Sequence, residues 1–167
     1  MTSTPHGLPH ARYDRFESVR EYEHAIDELL AGTQHVIRIF DRTLSAAYNS
    51  SHRCDALARL LRAGAPNTLQ VVLHEVESVE RICPRFVALV QQFGHVAKVR
   101  QTPRFARHIY DPFVVFDAGS YVHRFHHQHA RFARGLDDID GAQQLIERFA
   151  ELWDASQPAL ARSISGL

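Results

Sequence analysis

The sequence predicts an α/β domain with a mainly parallel sheet, helices on both faces and a C-terminal antiparallel hairpin. Three observations carry that prediction. Short β-branched runs at 35–40, 69–73 and 96–100 alternate with longer stretches of helical period. A later apolar pair, Phe113–Phe116 and Tyr121–Phe125, is split by Ala118-Gly119-Ser120, the punctuation of a tight turn between two strands. No repeat or low-complexity linker interrupts the chain, so residues 16–167 are expected to form a single domain behind a flexible tail over residues 1–15.

The elements follow in order. Ser18 and Glu21 form a capping-box pattern, Val19, Tyr22, Ile26, Leu29 and Leu30 make one apolar face, and Gly32 closes the first helix. His35–Phe40 is a strand that ends at Asp41, and 41–51 is polar and loop-like. A second helix starts near Ser51, turns Leu57, Leu60 and Leu61 inward and stops at Gly64. Leu69–Leu73 is the next strand and leads into His74-Glu75. Residues 79–93 have helical period, with Pro84 starting a fresh turn because an interior proline breaks the ladder. Val96–Arg100 is a third strand, the hairpin 113–125 follows, and 135–138 is a polar connection. The last helix, Ile139–Ala155, carries Leu145, Ile146, Phe149, Leu152 and Trp153 at helical spacing. Arg131 and Arg134 read as a solvated flank.

Composition removes several functions. The 167 residues carry zero formal net charge, which argues against nucleic acid as a partner. No apolar run reaches the ~18 residues of a membrane span, and Met1–His10 lacks the apolar core of a secretory signal. Cys54 and Cys83 stand alone, without partners at metal-ligand spacing, as thiols of a reducing cytoplasm do. A cytoplasmic location follows as the expectation.

The stretch Tyr110-Asp111-Pro112-Phe113-Val114-Val115-Phe116-Asp117 resembles the phospholipase D signature H-x-K-x-x-x-x-D, which lies on such a hairpin. Phe149-Ala150-Glu151-Leu152-Trp153-Asp154-Ala155-Ser156 is similar to the F-x-x-L-W-x-x-S helix that follows it in that superfamily. The likeness covers about 33–156 and implies one half of a phospholipase D fold. It also resembles an uncharacterised bacterial family of phospholipase-D-like domains lacking the catalytic pair. In the superfamily the histidine becomes phosphorylated and the lysine binds phosphate. Here Tyr110 stands at the histidine position and Pro112 at the lysine position; only Asp117 matches. A phenol of reference pKa near 10 is a poor nucleophile, and proline offers no cation. Asp117 has a structural use available as the residue that ends the strand and satisfies turn amides.

Two constellations remain as site candidates. In open α/β sheets the ligand crevice lies beyond the carboxyl ends of the parallel strands. Those ends and the loop after them place Arg42, His74, Arg100, Arg104, Arg107 and His108 there, a set suited to an anion. The plainer alternative is that these arginines pair with Asp41 and Glu75. His123, His126, His127 and His129 form the second set; their spacing matches no zinc signature, and a solvated, histidine-rich strand end is the simpler account. His108 lies two residues before the signature, a shift of about 7 Å along a strand and too far to replace the missing nucleophile.

The resulting expectation is a non-catalytic binding or regulatory module for an anionic ligand or a protein partner, with no cofactor. The alternative is a hydrolase, either a divergent phosphodiesterase using His108 or a metal enzyme using His123–His129. A half-fold that leaves the hairpin partly uncovered also predicts a homodimer.

Overall fold

The computed structural model describes residues 11–64 and 66–160. Eight strands, β1 (Arg12–Phe16), β2 (Val36–Asp41), β3 (Thr68–Leu73), β4 (Ala97–Gln101), β5 (Phe113–Phe116), β6 (Ser120–Arg124), β7 (Phe132–Leu136) and β8 (Gln157–Ala159), make one open sheet. Their spatial order is β1-β7-β6-β5-β2-β3-β4-β8. The helices are α1 (Val19–Ala31), α2 (Ser51–Arg62), α3 (Val79–Ile82), α4 (Pro84–Gln92) and α5 (Ile139–Ala155).

Local chemistry sets the helix bounds. The Ser18 side chain accepts the Glu21 amide at the start of α1, and Gly32 N–H returns to the Leu29 carbonyl at its end. Pro84 opens α4 because its missing N–H is one the first turn leaves unpaired anyway. Asp138 caps α5 through the Gly141 amide.

One face of the sheet packs Ile37, Ile39, Val71, Val99, Val114 and Phe116 against α1, α2 and α4. The other packs Phe40, Val72, Phe113, Val115 and Tyr121 against Leu145, Phe149 and Leu152 of α5. Helices therefore cover both faces. Between the first two helices Arg53, 0% exposed, donates to Asp27 at 2.8 Å and to Glu23 at 2.8 Å while stacking on Tyr48.

The mainly parallel sheet is corrected. Only β2–β3 and β3–β4 run parallel; β1–β7, β2–β5, β4–β8, β5–β6 and β6–β7 are antiparallel. A parallel neighbour needs a crossover to the far edge, and the link from β4 to β5 holds only the short turn Arg104–Ala106. Strand β5 therefore starts where β4 ended. The expected tail over 1–15 reaches into the described residues, where Arg12–Phe16 is an edge strand; residues 1–10 lie outside them. Of the expected solvated flank, Arg131 is exposed, whereas Arg134 lies in Phe132–Leu136, which pairs with both β6 and β1. Because β7 and β1 extend the sheet past the hairpin, Phe116 and Tyr121 are only 3% and 5% exposed within one chain. Among the described residues the hairpin strands are thus covered within one chain, and of the predicted hairpin 113–125 Phe125 is the large apolar side chain left exposed.

Candidate functional site

The topology collects chain ends on one edge. Parallel β2, β3 and β4 deliver Asp41, Leu73 and Gln101 there, β5 begins there, and β6 ends there. The loops beyond those ends enclose a cleft of about 440 Å³. Arg42, His74 and Glu75 line it on the side of the parallel strands; Arg107, Tyr110, His126, His127 and Gln128 line it opposite. Three members of the anion set and two of the histidine set thus meet in a single site.

His74 is buried and fully engaged. Its Nε2 lies 2.7 Å from the Ile109 carbonyl, which only accepts, so Nε2 carries the proton. Its Nδ1 then accepts the Thr102 hydroxyl at 2.6 Å. Burial pulls the ring below its usual pKa, and Arg107 and His108 lower it further against the opposing Ile109 carbonyl and Glu75. His74 is a neutral brace between loops, with no free donor for a ligand. Arg42 reaches Glu75 at 3.4 Å, a long, exposed pair that leaves most of its donors open. Arg107 has no carboxylate partner among the described residues.

The histidine loop forms a stack. His126 and His127 lie with ring centres 4.7 Å apart and 21° between planes, and Tyr110 is 5.4 Å from each. The His127 amide donates to the Tyr110 carbonyl at 2.8 Å, which ties the loop to the signature stretch. His126 Nδ1 accepts the Gln128 amide at 3.1 Å. His127 Nδ1 is buried without a hydrogen-bond partner. Its ring is held below the ordinary histidine value by desolvation first, then by His126, Arg42 and Arg124, with the Tyr110 carbonyl opposing. Among the described residues no three His, Cys, Asp or Glu side chains are grouped to hold a metal. His123 is committed to Asp111 at 2.8 Å, and the other rings stack instead of converging.

The signature positions divide. Tyr110, 48% exposed, lines the cleft. The Pro112 carbonyl accepts from the Arg124 amide at 2.8 Å within the sheet. Asp117 is at the opposite edge, where it accepts the amides of Gln34, His35 and Val36 at 3.0, 2.8 and 3.0 Å. Between them, Asp111 forms a fork with Arg148 of α5 at 2.7 and 2.8 Å and also meets His123. Burial alone would raise its pKa, but His123 and Arg148 outweigh this and hold the carboxyl well below its usual range.

Other expected residues fall outside. Arg100 projects toward α5, stacks 4.3 Å from the Trp153 ring and donates to the Trp153 carbonyl. Arg104 is exposed on the turn before the hairpin. His108 borders a separate hollow of about 190 Å³ beside Phe105, Arg148 and Glu151. Sequence reasoning missed Gln128 and the placement of Tyr110 in the cleft wall.

A family model described as a domain of unknown function (DUF7931) matches residues 18–161. No curated protein matches the chain. Among solved structures, the phospholipase D family member Nuc from Salmonella typhimurium has a TM-score of 0.68 at 12% identity, covering 92% of this chain and 100% of its own. TrmBL2, an archaeal chromatin protein with a novel mode of DNA binding, has a TM-score of 0.67 at 13% identity, covering 93% of this chain and 56% of its own. NucT from Helicobacter pylori has a TM-score of 0.58 at 10% identity, covering 90% of this chain and all of its own. These likenesses show a phospholipase-D-like fold.

Proposed function

The chain belongs to the family described as a domain of unknown function (DUF7931), and from that premise we propose that it is a non-catalytic, phospholipase-D-like module that binds a phosphate-bearing ligand at the carboxyl edge of its sheet. The observation that carries this reading is the cleft itself. It presents Arg42 and Arg107 where the strand ends converge, while the signature positions supply a phenol and a proline. Guanidinium groups bind phosphate oxygens through forked donors, and neither Tyr110 nor Pro112 replaces a phosphorylatable histidine or a phosphate-binding lysine. His108, the other nucleophile considered, opens on a different hollow.

Titration calorimetry with a phosphorylated ligand is the test. Saturable binding weakened at least tenfold, or about 1.4 kcal/mol, by Arg107→Ala and by Arg42→Ala supports the module. Turnover of a phosphodiester that survives Tyr110→Phe but is abolished by His108→Ala would replace this reading with the hydrolase.

A second reading has its own observation. Two further hollows continue the edge past His126, lined by Phe125, His129 and Arg131 and then by Arg15 and Phe16. Arg15, Arg131 and the exposed Phe125 ring suit a phosphate backbone, although Glu17 pairs with Arg131 there, and TrmBL2 is described as binding DNA. A duplex and a single strand belong in the same titrations. Binding of either, with a steep loss on added salt, separates this reading from a small-ligand cleft.

A further inference from the structure

Resting on the cleft reading, we infer that His127 adjusts the charge of this site: an anion seated on Arg42 and Arg107 draws one proton onto the His127 ring, so that the cleft takes a doubly charged oxyanion, such as a phosphate monoester, in preference to a singly charged diester.

The fixed charges of the lining come to one net positive, Arg42 and Arg107 against Glu75, with His74 kept neutral by its burial. That resting charge matches a monoanion. A dianion leaves one negative charge unmatched, and the adjacent imidazoles are the groups that can answer it near neutral pH. The two rings differ in what a proton would cost. His126 Nδ1 is occupied accepting the Gln128 amide, so protonation there breaks a hydrogen bond. His127 Nδ1 has none to lose. Stacked 4.7 Å apart, the rings can hold one added charge but not two, since like charges at that distance repel strongly.

The surroundings set the direction. Arg42 and Arg124 disfavour a proton on His127, as does His126; Arg107 adds positive charge to the same cleft, against Glu75 across it. With the cleft empty His127 is therefore neutral, and a bound dianion reverses the balance. By linkage, affinity for a dianion is greatest at low pH and falls as pH rises through the value His127 has in the complex.

Sulfate is the suitable probe, because it stays doubly charged over the whole range, and dimethyl phosphate is its singly charged counterpart. Calorimetry of the full chain in two buffers of different ionisation enthalpy should show sulfate taking up about one proton near neutral pH. Its affinity should fall by up to about tenfold per pH unit across that same region and level off above it. Dimethyl phosphate should bind with no uptake. His127→Gln should abolish the uptake and flatten the sulfate profile; His126→Gln should retain the uptake. Sulfate binding without proton uptake, or uptake that persists in His127→Gln, overturns the inference and leaves the cleft intact. Failure of both anions to bind at any pH overturns the cleft reading along with it.

Discussion

Asp117 Oδ1 stands 2.8 Å from the backbone nitrogen of His35, joining the turn of the β5–β6 hairpin to the start of β2. The same carboxylate also takes the amides of Gln34 and Val36, so one side chain satisfies three donors at the end of the sheet remote from the cleft. Its own backbone is left-handed, at φ 53, a conformation aspartate and asparagine tolerate better than most residues. Asp117→Ala should destabilise by about 2–4 kcal/mol, because charge-assisted bonds are lost together and the backbone becomes strained. Asp117→Asn should cost less, since one oxygen can still serve His35 and Val36. Urea midpoints of both variants check the order. Equal losses would show that charge, not acceptor geometry, holds the turn.

Gly135 is fixed by its neighbour across the strands. A Cβ there would meet the Tyr121 ring at 2.3 Å, and Tyr121 cannot retreat because its hydroxyl donates to Asp138 at 2.6 Å. Gly135→Ala should cost about 1–3 kcal/mol by overpacking. Gly119→Ala, whose Cβ would find nothing nearer than 3.8 Å, is the control and should change the thermal midpoint little. Adding Tyr121→Leu to Gly135→Ala should recover part of the loss if the ring is the obstacle.

Asp117 was legible as the acid that ends its strand and satisfies nearby amides, whereas Gly135 read as part of a polar connection and lies in β7. Helices α1 and α5 could be bounded because their caps and apolar faces are local properties, written within a few residues. Strands β1, β7 and β8 were missed because their sequences lack the alternating apolar pattern. Arg12–Phe16 is charged, Phe132–Leu136 contains Gly135, and Gln157–Ala159 contains a proline that only an edge tolerates. Strand direction depends on which edge a connection returns to, and no residue pattern between β4 and β5 encodes that. The cleft was half visible for the same reason. Strand ends pointed to Arg42 and His74, but Arg100 alternates to the α5 face and is held by Trp153.

Arg53 tests how the helical layer is held. Fully enclosed, it bridges Glu23 and Asp27 and donates to the Glu23 carbonyl. Arg53→Ala leaves both acids facing a void and should cost about 3–5 kcal/mol. The triple change Arg53→Met, Glu23→Gln, Asp27→Asn removes the charges together and should recover much of that stability. Denaturant midpoints decide between charge and packing: if the triple variant is as unstable as Arg53→Ala, the fit of the guanidinium against Tyr48 is the larger contribution.

Asp41, at the end of β2 beside the cleft, makes stability depend on pH in an unusual direction. Desolvation raises its pKa to about 7; the Arg42 amide opposes this, Glu23 adds to it, and Arg124 and Arg42 oppose it. In the unfolded chain the group titrates near 3.9. Between those values the folded protein holds a proton that the unfolded chain has released. The contribution of Asp41 is therefore fully present below about pH 4, is lost as pH rises to about 7, and is level above that. His74 runs the other way, since its lowered pKa favours folding as pH rises through the unfolded histidine range. Comparing Asp41→Asn with the parent chain cancels His74, which both proteins share. The asparagine variant, neutral throughout, should gain stability relative to the parent on going from about pH 5 to about pH 8, read as diverging urea midpoints. Midpoints that stay parallel across that range would mean Asp41 is ionised in the folded protein and that solvent or Arg42 stabilises its charge.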